Sequence, residues 1–187
     1  MPPPIDGATP DAGSDAGPLP PPPAVVDATT LEDKLLFGYQ GWFAAEGDGS
    51  PLDVAGDGWR HWSPAVTPAP SNLSFDCWPD TRELAAAELY PTSMTMPGGA
   101  PAGLFSAWNR ATVDRHFAWM QRHGLDGVLL QEFVSELAPG TPPRGFRDGV
   151  LANVRAGAEA HGRVWAVEYD ISGAPAGEIA ARLREHW

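Results

Sequence analysis

Three acidic residues lie at or near the ends of two apolar segments in this sequence. Glu132 is the penultimate residue of the run Val128–Phe133, and Glu168 and Asp170 stand in the last part of the run Val164–Asp170. Continuous apolar runs are typical of parallel strands that are buried on both faces. Carboxylates at the carboxyl ends of such strands lie on the active face of α/β enzymes. Paired carboxylates there act as general acid and base, or as nucleophile and acid, in glycosidic bond cleavage.

A structural interpretation of these acids stays open beside the catalytic one. Each carboxylate would then accept hydrogen bonds from backbone at a strand end, or pair with Arg144 or Arg147. We therefore treat Glu132, Glu168 and Asp170 as catalytic candidates that compete with this simpler role.

Aromatic residues are denser in this sequence than core building requires. The rings of interest are those of Tyr39, Trp42, Trp59, Trp62, Trp78 and Trp108. Sugars stack their apolar CH faces on aromatic rings, while their hydroxyls seek carboxylates, amides and imidazoles. The segments Trp59–Trp62 and Asp76–Asp80 therefore predict the walls of sugar subsites. The alternative is that half of these rings pack a large irregular loop, and Trp165, in mid-strand, is predicted to be a core residue.

Other kinds of site find little support in the sequence. The five histidines lack the spacing of metal ligands, and the single Cys77 excludes a multi-thiolate site and an intramolecular disulfide. The sequence contains neither a Gly-x-Ser-x-Gly elbow nor a Gly-rich phosphate loop in the required context. We therefore predict no metal and no cofactor. A net charge of -12 also argues against a nucleic-acid partner.

A pattern that occurs twice supplies the elements that would position these residues. Each copy is a helix, over Thr112–His123 or Arg147–His161, that ends in His-Gly and is followed by an apolar run. Gly124 and Gly162 are predicted to be the left-handed residues past the helix ends. Further helices are predicted over Asp80–Leu89 and Ala176–Trp187. Adjacent parallel strands with right-handed crossovers are predicted at 35–43, 103–108, 126–133 and 163–170. The predicted fold class is therefore α/β, of the (β/α)₈ TIM-barrel type, truncated to about four βα units.

The first 30 residues differ in composition from the rest of the chain. They contain nine prolines, no basic residue and no aromatic residue. This composition predicts a disordered Pro/Ala/Asp-rich tether over 1–30 and one βα domain over 31–187. No apolar run reaches the roughly 18 residues of a membrane span, and Met1 followed by three prolines does not begin a signal peptide. Because such leaders often follow an export signal, we expect the full gene product to be extracellular, periplasmic or surface-anchored.

A series of motifs runs in order between Leu35 and Gly173. It comprises Gly38–Phe43, Gly58–Trp62, Asp76–Asp80, Phe105–Trp108, Thr112–Met120, Gly124–Val128 and Tyr169–Gly173. The series resembles bacterial glycoside hydrolases of the family 71/99 type, which are endo-α-mannosidase-like barrels and relatives labelled xylosidase or arabinosidase. The resemblance implies a (β/α)₈ barrel that acts on or binds a glycan, and that would be monomeric when complete.

The resemblance also implies which residues meet the substrate. These substrate-binding candidates are Tyr39, Gln40, Trp42, His61, Trp78, Glu132, Tyr169 and Asp170. Relatives tend to carry an arginine at the position of Glu132, so the charge there is reversed. The catalytic glutamates of the family lie on later strands, beyond Trp187, so this chain is expected to bind a glycan without hydrolysing it. Two alternatives stay open: a non-catalytic carbohydrate-binding or vestigial module, and a gene fragment with no stable fold of its own.

Overall fold

The protein is described by a computed structural model, which covers residues 25–64 and 66–187. The strands are β1 (Leu36–Tyr39), β2 (Tyr90–Thr95), β3 (Pro101–Leu104), β4 (Gly127–Phe133) and β5 (Val164–Asp170). The helices are α1 (Pro51–Val54), α2 (Arg110–Arg122), α3 (Pro142–His161) and α4 (Ile179–His186). Two short 3₁₀ turns, Ala86–Glu88 and Val134–Glu136, complete the elements of the described ranges. No helix in these ranges is both long and apolar enough to span a membrane.

The strands form two separate sheets. A three-stranded parallel sheet has the order β1-β4-β5, and β2 pairs with β3 in a two-stranded antiparallel sheet. In the parallel sheet Tyr39 lies opposite Leu130, which in turn lies opposite Val167. The three apolar segments predicted at 35–43, 126–133 and 163–170 therefore do contain parallel strands.

The predicted (β/α)₈ TIM-barrel class with four βα units is wrong. The strand predicted at 103–108 does not enter the parallel sheet, because β3 pairs with β2 through a turn at Gly98 and Gly99, both at positive φ. Residues 105–108 form no strand. The N–H of Ala107 donates to the carbonyl of Phe43, and the chain then enters α2. As a result β4 lies directly beside β1, and the described residues form a small α/β fold with two sheets.

The helix predicted over Asp80–Leu89 is also wrong, since only Ala86–Glu88 forms a 3₁₀ turn there. The acidic side chains that would cap such a helix have other partners. Asp80 accepts from the N–H and the guanidinium of Arg82, and Glu83 binds Arg122 and Trp119 on α2. The Glu83 contacts tie this segment of turns to α2.

The two long helices confirm the repeated pattern. Val113 and Phe117 of α2 and Val150, Val154 and Ala158 of α3 are all buried in one core with β4. Gly124 and Gly162 follow the helices at φ values of +71° and +58°, in the left-handed conformation that the sequence predicts. Trp165 packs against this core, in agreement with its mid-strand position.

A second core lies under the irregular segment that follows β1. Trp59 and Trp62 are 2% and 3% exposed and pack with Ala45 and Leu104. The indole N–H of Trp62 donates to the Phe105 carbonyl at 2.7 Å. These two rings therefore pack the loop, which is the alternative to their predicted role as subsite walls.

The predicted tether falls mostly on residues 1–24, which lie outside the described residues. Of its last six residues, Val26 contacts the folded part of the chain: its N–H donates to the carbonyl of Gly162 at 3.3 Å. This contact places the segment at the amino-terminal end of β5, away from the carboxyl ends of the strands.

Candidate functional site

A cleft of about 690 Å³ opens beside the segment that follows β1. Hereafter the cleft denotes the space lined by Gln40, Trp42, Phe43, Asp57, Arg60, His61, Ser63, Pro64, Ser74 and Glu136. Two segments supply most of these residues, 40–43 and 57–64, and Glu136 comes from the 3₁₀ turn after β4. The lining combines aromatic faces with amide, hydroxyl, carboxylate and guanidinium groups.

At Gly41 the backbone lies close to the core, and the next residue, Trp42, lines the cleft. A Cβ atom on Gly41 would lie 2.7 Å from Val150 Cγ1 and 3.0 Å from Leu130 Cδ1, so only glycine fits without displacement of these side chains. The N–H of Gly41 donates to the Tyr39 carbonyl at 3.0 Å and closes a tight turn. The turn at this glycine thus serves packing against the core.

A backbone pair brings the second segment beside the first. Ala44 and Arg60 exchange two N–H···O hydrogen bonds, each of 3.3 Å. His61, the next residue, has a φ of +61°, in a region that residues other than glycine seldom adopt. Such positions cluster at functional sites, where the surrounding structure maintains them. Here the conformation places the His61 ring against Trp42.

Three near-parallel rings form what we call the aromatic stack: Trp42, His61 and Phe133. The Trp42 ring centroid lies 5.1 Å from that of His61 and 4.9 Å from that of Phe133, with interplanar angles of 27° and 17°. The centroids of His61 and Phe133 are 6.0 Å apart. Rings on opposite faces of an indole would be separated by at least about 7 Å, twice a carbon–carbon contact distance. Both rings therefore lie on one side of Trp42 and leave its other face free of them.

Beside the stack runs a set of charges that we call the ion-pair network: Asp57, Arg60, Glu136 and Arg147. Arg60 binds Asp57, and its Nη2 donates to Glu136 Oε1 at 2.7 Å. The second oxygen of Glu136 accepts from Arg147 Nε and Nη2 at 2.8 and 2.6 Å. Both carboxylates that line the cleft are thus paired with arginine.

His61 is a neutral ring at physiological pH. Burial lowers its pKa to about 4, and the charges of Arg147 and Arg60 act in the same direction against the opposing charge of Glu136. A neutral imidazole has one N–H donor and one acceptor nitrogen. The neutral His61 ring at the cleft therefore carries one donor nitrogen and one acceptor nitrogen.

Of the predicted substrate-binding residues, the structure brings Gln40, Trp42 and His61 together in the cleft. Tyr39 points toward α2 instead, where its hydroxyl is hydrogen-bonded to His116 Nδ1 at 2.8 Å and burial raises its pKa. Trp78 packs on Phe75 in the second core, with ring centroids 5.7 Å apart. Neither ring lines the cleft.

The glutamates of neighbouring strands have opposite environments. Glu132 is completely buried on the helix side of β4, and Arg147 Nε lies 3.7 Å from its Oε2. Glu168 is exposed, because it pairs in register with Gln131 and so belongs to the other face of the sheet. Neither carboxylate lines the cleft, although both were predicted at the rim.

Tyr169 and Asp170 also have partners outside the cleft. The Tyr169 hydroxyl is hydrogen-bonded to His186 Nδ1 of α4 at 2.8 Å. Asp170 accepts from the N–H of Ser172 at 2.8 Å and from Gln131 Nε2 at 3.2 Å, and these hydrogen bonds lower its pKa. Asp170 is therefore an anion at neutral pH and not a proton donor.

Sequence reasoning missed three residues that shape the site, namely Asp57, Phe133 and Glu136. Arg60 was recognised only as part of an aromatic segment, and Glu136 lies 76 residues further along the chain. One signal for Glu136 exists in the sequence: an acidic residue follows a buried strand by three positions and precedes a helix that carries two arginines, Arg144 and Arg147, in its first two turns. The sequence signal for Phe133 is its position as the last residue of the same strand, which places it at the carboxyl edge of the sheet.

Comparison with known proteins and a search of the described residues for metal sites both gave no match. No family model, curated protein or solved structure matches the chain. Within residues 25–64 and 66–187 no group of three or more His, Cys, Asp or Glu side chains is arranged to hold a metal ion. The resemblance to family 71/99 glycoside hydrolases thus stays a prediction.

Proposed function

We propose that the cleft binds a carbohydrate. The observation that carries the proposal is the aromatic stack, in which Trp42 keeps one face free of His61 and Phe133 beside hydrogen-bonding groups of the cleft. A pyranose ring requires this combination, an aromatic face for its CH groups and polar side chains for its hydroxyls. Gln40 and neutral His61 supply donors and acceptors next to the indole.

The geometry favours binding over hydrolysis by the described residues. A glycosidase needs a carboxylic acid that holds a proton at the scissile bond and a second carboxylate across the sugar ring. Asp57 and Glu136 line the cleft, but arginine hydrogen bonds occupy both carboxylates. Glu132, Glu168 and Asp170 lie outside it. We therefore propose a glycoside-hydrolase-like, carbohydrate-binding role for this chain.

Binding is tested by titrating the full chain with mannotetraose, xylotetraose and maltotetraose, followed by ¹H–¹⁵N NMR. We expect one of these oligosaccharides to shift the indole signal of Trp42. Trp42→Ala should weaken its affinity by about five-fold, since one stacked ring contributes on the order of 1 kcal/mol. Trp187→Ala is the matched control, because Trp187 is 82% exposed and distant in sequence from the cleft.

Two results would contradict the proposal. One is that none of the oligosaccharides shifts the Trp42 signal while the protein is folded. The other is that Trp42→Ala and Trp187→Ala bind equally well. Turnover of an aryl glycoside by the full chain, abolished by Glu168→Gln or Asp170→Asn, would instead show that the chain is a hydrolase with its acids outside the cleft.

A further inference from the structure

Behind the cleft, one guanidinium stands between two carboxylates and is hydrogen-bonded to only one of them. Arg147 is 2% exposed and donates twice to Glu136. Glu132, with no exposed surface, lies 3.7 Å from Arg147 Nε. Within the described residues neither oxygen of Glu132 has a hydrogen-bond partner, and Arg147 Nη1 has none either. Buried polar atoms without partners are rare, and so many in one place require an explanation.

Arg147 is connected to the cleft by two routes. Its guanidinium carbon lies 5.1 Å from the centre of the Phe133 ring, and Phe133 stacks on Trp42. Through Glu136 it is also linked to Arg60, which lines the cleft. A movement of Arg147 therefore acts on the aromatic stack and on the ion-pair network at the same time.

The charge of Glu132 decides which carboxylate attracts Arg147. Burial raises the pKa of Glu132 to about 8 against the opposing charge of Arg147. The other charged or titratable groups that face this cluster from α3, the 3₁₀ turn, β5 and α4 are Arg144, Asp148, Glu136, Tyr169 and His186. When Glu132 is neutral, Arg147 binds Glu136 alone. When Glu132 is ionised, its charge also attracts Arg147, and this attraction is strong because the buried pair lies in a medium of lower dielectric constant than water.

We propose that Glu132 and Arg147 are a proton-controlled positioning pair for the cleft. With Glu132 protonated, Arg147 stays on Glu136 and supports Phe133 beneath Trp42. When Glu132 gives its proton to solvent, Arg147 turns toward it, and the aromatic stack and Arg60 shift. The effect on carbohydrate affinity rests on the proposed function, whereas the movement itself does not.

The movement is tested without any ligand. In ¹H–¹⁵N spectra recorded between about pH 6 and pH 10, the indole signal of Trp42, assigned by its loss in Trp42→Phe, should titrate in one step near pH 8. Glu132→Gln should abolish the step. Glu168→Gln is the matched control on the neighbouring strand and should leave it unchanged. A Trp42 signal that does not titrate, or that titrates equally in Glu132→Gln, would overturn the proposal.

A second measurement on the wild-type chain makes the test independent of any variant. The side-chain carboxyl carbon of Glu132, observed by ¹³C NMR, should titrate with the same midpoint as the Trp42 indole. Different midpoints would refute the coupling.

A binding arm separates this inference from the proposed function. The oligosaccharide that shifts Trp42 should bind the wild-type chain several-fold more weakly at about pH 9.5 than at pH 6.5, and bind Glu132→Gln equally at both. Equal affinity for the wild-type chain at both values would refute control of binding by Glu132. If no oligosaccharide binds at either pH, the proposed function fails, and the Trp42 titration alone decides whether the pair moves the stack.

Discussion

Glu132→Gln should stabilise the protein at neutral pH, and the gain should grow with pH. The folded state holds a proton on Glu132 up to about pH 8, whereas the ordinary carboxyl pKa is 4.5. Between these values the unfolded chain binds fewer protons than the folded chain, so the free energy of unfolding falls as pH rises. The proton on Glu132 therefore lowers the free energy of unfolding by about 1.4 kcal/mol for each pH unit above 4.5, or by roughly 3 kcal/mol at pH 7.

Glutamine has nearly the shape of a protonated glutamate and no such cost. The stability difference between Glu132→Gln and the wild type should therefore be near zero at pH 4 and about 3 kcal/mol at pH 7. It should level off above pH 8, where the folded state also releases the proton. Urea unfolding at constant ionic strength, followed by tryptophan fluorescence and by circular dichroism, measures the difference at each pH.

The opposite result would refute the reasoning. If Glu132 were ionised and held by Arg147, its replacement would leave a buried guanidinium with one partner fewer and cost about 3–5 kcal/mol at pH 7. A loss of stability at pH 7, or a difference that does not change with pH, would thus show that Glu132 is charged in the folded state. Glu168→Gln, on the exposed face of β5, should change stability by less than about 0.5 kcal/mol at every pH.

Two further substitutions test the packing and the second buried glutamate. Gly41→Ala should lower the free energy of unfolding by about 1–3 kcal/mol in urea, because its methyl group would meet buried side chains of α3 and β4. Gly38→Ala is the control and should not destabilise, because an added Cβ there has nothing within 4 Å. Equal effects of the two substitutions would contradict the close approach at Gly41. Glu88→Gln should destabilise by about 2 kcal/mol at pH 7, since hydrogen bonds from Arg115 and the Ala85 N–H outweigh burial and lower the pKa of Glu88. That stability is fully present above pH 4.5 and is lost as pH falls through the lowered pKa of Glu88, so a stability difference that does not shrink as the pH is lowered would refute the assignment.

The sequence predicted the elements of the parallel sheet well and their arrangement poorly. Apolar residues at helical spacing in α2 and α3, and the continuous runs of β4 and β5, are local signals that packing left intact. The direct contact of β1 with β4 depends on residues about 90 positions apart. The run at 103–108 has the composition of a strand, yet the turn at Gly98 and Gly99 pairs its first part with β2. Two glycines between short runs are a hairpin signal, and it favours this pairing over entry into the parallel sheet.

For the site, the sequence predicted three of the side chains that line the cleft, but it did not predict where the carboxylates lie. Gln40 and Trp42 are polar and aromatic residues on either side of Gly41, and both line the cleft with His61. The fate of the carboxylates depends on the pleat of the sheet. Glu132 lies opposite Tyr169, and Gln131 lies opposite Glu168, so the two glutamates face opposite sides of the sheet. An offset of one residue in register thus separates a buried acid from an exposed one, and the sequence alone does not contain this register.

The motif Gly38–Phe43 shows how far a resemblance can support a function. Within it, Gly41 packs against the core and Tyr39 binds α2, whereas Gln40 and Trp42 line the cleft. The first two residues would be required by any protein that makes this turn over this core, whatever it binds. Only the cleft residues bear on carbohydrate recognition, because only they bring aromatic and hydrogen-bonding groups to the space where a ligand could bind. Substitutions at Gln40 and Trp42 therefore test the function, and substitutions at Tyr39 and Gly41 test the fold.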